Sequence, residues 1–293
     1  LIMPIIIHNS ANEQLNHLTR INAADLLRAF ELERSPLRGL LEIISWPATQ
    51  RLARQVQTFD NLVGSAGLRS AGAWLLGQYI DRFAVSGQAN IPRSGPVLLV
   101  ANHPGLFDTV GLFTAIPRDD LLVIAADRPF LRALPHISRR LITLNEATND
   151  RLRVVRQATR HLRSGGALLT FPAGRIEPDP ASMADADATL PEWAENVTAF
   201  ARLVPALPVV PMIVSGVISQ AALDHPFAQL RGPEQRAWLA ATTQLLFPWL
   251  QPALMQVQIG ALLNSDGIKI GPAVVAEAAA LINAALPTQR GQP

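Results

Sequence analysis

Beyond Phe83 the chain alternates short, continuous apolar runs with stretches of helical period, and before Phe83 no β signal occurs. The clearest runs are Val97–Ala101, Leu121–Ala126, Ala167–Phe171, Val209–Val214 and Val257–Leu262. A run that is apolar at every residue, rather than at every second one, belongs to a strand covered on both faces, so the pattern predicts a sheet with helices on either side. Residues 10–80 instead place Leu37, Leu40, Leu41, Ile44, Ala48, Leu52, Val56 and Phe59 at three- and four-residue steps, the period of a helix face. There, Asn22-Ala-Ala-Asp25 resembles a capping box that opens a helix, and Pro47 divides the region into two helices. The expected organisation is an N-terminal helical region over residues 1–80 and an α/β domain over residues 81–293.

Composition narrows the chemistry. With 293 residues, 49% hydrophobic and 16% charged, the chain can bury a large core, which excludes disordered and fibrous classes. Cysteine is absent, which removes thiolate nucleophiles, disulfides and thiolate zinc sites together. Lys269 is the one lysine among 25 basic residues, so the cationic character is that of arginine, and the net charge of +2 is too small for a duplex-binding protein. No nucleic-acid partner and no metal are expected. The apolar start Leu1–Ile7 lacks the flanks of an export signal. Two uncharged stretches, 203–223 and 237–265, are interrupted by Pro205, Pro208 and Pro211 and by Pro248 and Pro252, and read as buried core rather than membrane spans. The expected location is therefore cytoplasmic.

Charge is unevenly distributed. Nine arginines lie between Arg128 and Arg163 against Glu146 and Asp150, whereas Glu177 to Glu195 holds six acids and no base. Within the first segment Arg153, Arg156, Arg160 and Arg163 share one helical face, and Leu152, Val155, Thr159 and Leu162 another. Two readings stand: a solvated outer face, or a phosphate-facing surface for a membrane or an anionic acyl donor.

No serine has glycine two residues before and two after it, and no His-Glu-x-x-His helix, G-x-G-x-x-G or P-loop occurs. The chain does contain Val97-Leu-Leu-Val-Ala-Asn102-His103-Pro104-Gly105-Leu-Phe-Asp108, a buried strand running into a Pro-Gly turn with a histidine at its carboxyl end, where open α/β sheets bind ligands. Asp108 is close enough to fold back on the imidazole, and a carboxylate on one ring nitrogen strengthens the other as a base. The bland alternative is a strand-end histidine satisfied by a local carboxylate. Ala167-Leu-Leu-Thr-Phe171-Pro172-Ala173-Gly174-Arg175 is a second strand ending in a Pro and Gly turn, with an arginine placed to meet an anionic group. A third strand carries Pro211 near its start.

In this order, Asn102-His103 with Asp108, Phe171-Pro172-x-Gly174 with Arg175, and Val210-Pro211 resemble the lysophospholipid (glycerolipid) acyltransferase superfamily, over about Asp81 to Ser219. The stretch Phe83 to Pro96 looks like that family's lead-in strand and turn. The resemblance implies an α/β fold with a mixed central sheet, a membrane-facing helical start, and acyl transfer from acyl-CoA or an acyl-carrier protein to a hydroxyl of a lysolipid. It implies no cofactor, no acyl-enzyme and peripheral attachment to a membrane surface. By match to its motifs, His103 is the general base, Asp108 its orienting partner, and Asn102, Gly105, Phe171, Pro172, Gly174, Arg175 and Pro211 line the substrate site.

The chain departs from the family pattern at Ala173, where Glu is usual, at Arg175, one residue early, at Asn145-Glu146, where Arg follows the strand, and at Gly105, where Ser is common. Arg151, Glu177 and Arg128 are the residues that could take over head-group recognition. With an acidic lid following Gly174, lysophosphatidic acid is not expected to be the preferred acceptor. Two further classes stay open: a catalytically silent lipid-binding relative, and a thioesterase-like hydrolase in which water replaces the acceptor.

Overall fold

The structure, a computed structural model, describes residues 5–145, 148, 150–230, 232–252, 254–264 and 269–285. Two long helices, α1 (Ile5–Ala29) and α2 (Arg38–Leu76), precede the sheet and pack on each other. The remaining elements are β1 (Arg82–Ser86), β2 (Val97–Ala101), α3 (Asp108–Ala115), β3 (Leu122–Ala126), α4 (Pro129–Arg132), α5 (Pro135–Ser138), β4 (Leu141–Leu144), α6 (Arg151–Arg163), β5 (Ala167–Thr170), α7 (Leu190–Leu203), β6 (Pro208–Ser215), α8 (Gln220–Asp224), α9 (Pro233–Leu246), β7 (Leu254–Ile259), β8 (Leu263–Asn264) and α10 (Ile270–Ala285).

The strands form one mixed sheet in the order β1-β7-β6-β2-β5-β3-β4, with β8 beside β6. From β6 to β4 all neighbours are parallel, β7 is antiparallel to β6, and β1 is parallel to β7. The continuous apolar runs serve both faces, as expected for β2: Val97, Leu99 and Ala101 join the core under α2, α3 and α9, while Leu98 and Val100 join the core under α6, α7 and α10. Among the described residues no helix is long and apolar enough to cross a membrane. The uncharged stretches form α9 and the strands β6, β7 and β8.

Several local expectations are corrected. Asn22 does not open a helix. The apolar positions Leu15 and Leu18 carry α1 through it, and Asn22 is buried, its Nδ2 donating to Thr49 O at 3.3 Å to join α1 to α2. Pro47 does not divide the region: α2 continues through it with Pro47 exposed, and the helical backbone breaks instead at Gly67, with φ +81° and ψ 170°. Of the apolar positions read as one face, Val56 and Phe59 of α2 enter the core, whereas Leu37, just before the helix, and Leu40 and Ile44 face outward together with Ile43 and Trp46. On α6 the buried stripe is Val154, Ala158, Thr159 and Leu162, and Leu152 is 74% exposed. β7 begins three residues earlier than its apolar run, at Leu254, and ends at Ile259.

Candidate active site

β2 and β5 are adjacent and parallel, yet their following elements leave to opposite faces of the sheet, α3 toward the layer of α2 and α7 toward that of α10. Such a reversal opens a crevice at the carboxyl ends of the strands. His103 and Phe171 stand at its two lips, their rings 4.7 Å apart and inclined by 31°.

His103 Nδ1 lies 2.7 Å from Asp108 Oδ2, and the carboxylate side chain is 0% exposed against 30% for the imidazole. Asp108 is the first residue of α3, and the local turn saturates it: Oδ2 also accepts the Gly105 N–H at 3.0 Å, and Oδ1 accepts the Thr109 N–H and, at 3.0 Å, the Thr109 hydroxyl. An ionised Asp108 accepts only, so the proton between the pair belongs to Nδ1 and leaves Nε2 as the basic nitrogen of the neutral ring. A Cβ at position 105 would lie 2.9 Å from Val217 Cγ1, so the turn packs closely on the loop after β6 at this glycine. Phe107, which precedes α3, rests on the Tyr79 ring at 4.4 Å and braces the turn from the helical layer.

A second carboxylate holds the same histidine from behind. Glu177 is 2% exposed; its Oε2 accepts the His103 N–H at 2.9 Å, and its Oε1 accepts from Thr189 Oγ1 at 2.6 Å and Trp193 Nε1 at 3.0 Å. Its own N–H donates to His103 O at 2.9 Å, so the loop after β5 is sewn to the histidine in both directions. Burial pushes the Glu177 carboxyl above the usual carboxylate range, against the pull of these three donors and of the His103 charge. At His103, burial is the largest single influence and pushes downward. The Asp108 charge and hydrogen bond and the Glu177 charge together exceed it, and hold the imidazole above its ordinary 6.5.

The other residues singled out in the sequence are dispersed. Asn102 is buried, and both ends of its amide are committed to β6: Nδ2 donates to Val214 O at 2.8 Å and Oδ1 accepts the Val214 N–H at 2.7 Å. Pro172 is buried and its carbonyl accepts from Asn196 Nδ2 at 2.6 Å. Gly174 turns the chain with φ +67° and stands exposed. Pro211 lies inside the sheet, in register with Val100, and not at the crevice. Arg175, expected as an open cation, forms a two-pronged ion pair with Glu192 at 2.7 and 2.5 Å. Nor are the acids after Gly174 a uniform lid: Glu177 faces inward, and so does Asp179, a fully buried carboxylate accepting from the N–H groups of Ala181, Gly216, Val217 and Ile218 at 2.9, 2.9, 2.6 and 2.8 Å. Glu177 therefore has no atom left for a head group. Arg151 lies on α6, at the far edge strand β4, and Arg128 precedes α4.

A buried carboxylate thus holds an oriented imidazole at the switch point of an α/β sheet, an arrangement that can move a proton to or from a ligand. Residues 82–215 match the model of the family described as Acyltransferase. Among solved structures the chain is similar to the 1-acyl-sn-glycerophosphate (LPA) acyltransferase PlsC from Thermotoga maritima, at 15% identity and a TM-score of 0.46, covering 99% of this chain and 100% of that one. No curated protein matches the chain.

Proposed function

We propose that the protein is an O-acyltransferase that moves a fatty acyl group from a thioester to a hydroxyl of a lysolipid, with His103 as general base and Asp108 as its orienting partner. The observation that carries this reading is the 2.7 Å contact between His103 Nδ1 and the fully buried Asp108, within the stretch that matches the Acyltransferase family model. Nε2 takes the proton of the acceptor hydroxyl as its oxygen attacks the thioester carbonyl. The tetrahedral intermediate then collapses, the carbon–sulfur bond breaks, and the imidazolium returns the proton to the leaving thiolate. Asp108 and Glu177 stabilise the transient imidazolium. The amides of Gly105 and Thr109 are committed to Asp108, and those of Gly216 to Ile218 to Asp179, so the oxyanion must be held by other donors at the strand ends.

The acceptor is a lysolipid of low anionic charge. Glu192 neutralises Arg175, and a dianionic phosphate monoester calls for clustered cations rather than one paired arginine. Attachment to the lipid surface is peripheral, through Leu37 and the outward Leu40, Ile43, Ile44 and Trp46 at the start of α2.

One assay tests the reading: thiol release from a long-chain acyl thioester, with and without lysolipid acceptors graded in head-group charge. Acceptor-dependent release that is lost in His103→Ala supports it. Equal release without acceptor makes the protein a hydrolase, and no release from any donor makes it a lipid-binding relative.

A further inference from the structure

The helix α6 carries five arginines and no acid in 13 residues. Its inner side is fixed by Val154, Ala158 and Leu162 against the sheet, which leaves Arg151, Leu152, Arg156, Arg160 and Arg163 exposed. Two arginines are engaged, Arg153 with Asp150 at 2.5 Å and Arg163 with the Leu203 carbonyl at 2.8 Å. Among the described residues Arg151, Arg156 and Arg160 have no partner. This arrangement is costly in isolation: Arg156 and Arg160 repel one another across one turn, and Arg151 and Arg153 oppose the helix dipole at its amino end. Leu152, 74% exposed within that field, adds an apolar contact that a solvated face does not need.

We propose that the outer face of α6 docks a small acidic protein carrying the acyl chain as its thioester, a donor of the acyl-carrier type. This rests on the acyl-transfer reading and names its donor. Three features select this occupant. The face is the convex side of a helix, and its unpaired cations extend about 14 Å from Arg151 to Arg160, a spread that suits an acidic helix rather than one phosphate group. It lies on the layer of α7 and α10, across the sheet from the apolar start of α2, so a protein seated on the lipid through α2 turns α6 away from the membrane. The amino end of α6 follows the carboxyl end of β4, and β4 is three strands from β2, so the docked protein sits at the same edge of the sheet as His103, on the order of 14 Å away across the strands.

The test uses the whole chain and the double variant Arg156→Glu/Arg160→Glu. Acyl transfer is measured with palmitoyl-loaded acyl-carrier protein and with palmitoyl-CoA, and binding of the carrier protein without its acyl chain is titrated separately, so that docking is read even if no transfer occurs. The expected result is salt-sensitive binding by the native chain, lost in the variant. KM for the protein-borne donor should rise at least tenfold while kcat/KM for palmitoyl-CoA stays within twofold. Arg156→Gln/Arg160→Gln should give a smaller change in the same direction. No binding by the native chain at low salt, or binding unchanged in the Glu variant, overturns the proposal. So does a variant that keeps carrier binding but loses attachment to phosphatidylglycerol vesicles, which would assign the face to lipid.

Discussion

Asp108 and Asp179 are both 0% exposed, both sit at the carboxyl edge of the sheet, and both gather hydrogen bonds from a tight turn, yet only one of them makes a site. Asp179 accepts exclusively from backbone N–H groups and locks the loop after β6; nothing it touches can gain or lose a proton. Asp108 gives one of its oxygens to an imidazole that remains 30% exposed, so its charge acts on a group that can exchange a proton with a ligand. A buried, satisfied carboxylate therefore marks structure or chemistry according to what it holds.

The comparison is sharpened first where the effect is largest. His103→Ala should lower acyl transfer by about 10² to 10⁴-fold, the usual weight of a general base, with the thermal transition little changed. Asp179→Ala should do the reverse. It leaves buried N–H groups without an acceptor and should cost about 3 kcal/mol or more of stability, seen in the denaturant midpoint, while the pH dependence of transfer in the folded fraction stays as in the native chain. If Asp179→Ala moved that pH dependence and spared stability, the contrast between the two carboxylates would be lost.

The contrast was only half legible in the sequence. His103 and Asp108 are five residues apart on one turn, so a local motif could show the pair, and the strands were visible because a buried parallel strand is apolar at every position. Asp179 and Glu177 were not. Their partners Gly216, Thr189, Trp193 and His103 come from other elements, and in sequence both residues read as part of an acidic run. Arg175 was visible as a cation, but its neutralisation by Glu192, 17 residues on across the start of α7, was not. On the helices the reading failed by register: one residue of phase on α6 put Val154 inside in place of Val155, and a proline on the open side of α2 was tolerated while a glycine twenty residues later broke the helix.

Smaller effects refine the account of Glu177. Glu177→Gln keeps the side-chain carbonyl oxygen for one of its donors but removes a negative charge near the imidazole, so kcat should fall only a few-fold while the acid limb of the pH profile moves downward. The smallest effect is on stability. Because the His103 pKa in the fold exceeds its ordinary value, its proton contributes stability fully present below that ordinary value and lost as pH rises through the higher folded one. Native chain and His103→Gln should accordingly differ in the slope of Tm against pH across this window and run parallel above it.

The most direct test of the relay is the pH dependence of kcat/KM in the native chain and in Asp108→Asn. In the native chain transfer should rise with pH as Nε2 loses its proton, with a midpoint above 6.5. Burial alone pushes the imidazole down, and Asp108 supplies most of what opposes it, so the Asn variant should show a midpoint below 6.5 together with a loss of activity on the order of 10 to 10²-fold. A flat profile in the native chain, or an Asn variant with the native midpoint, would contradict the assignment of His103 as a base held and charged by Asp108.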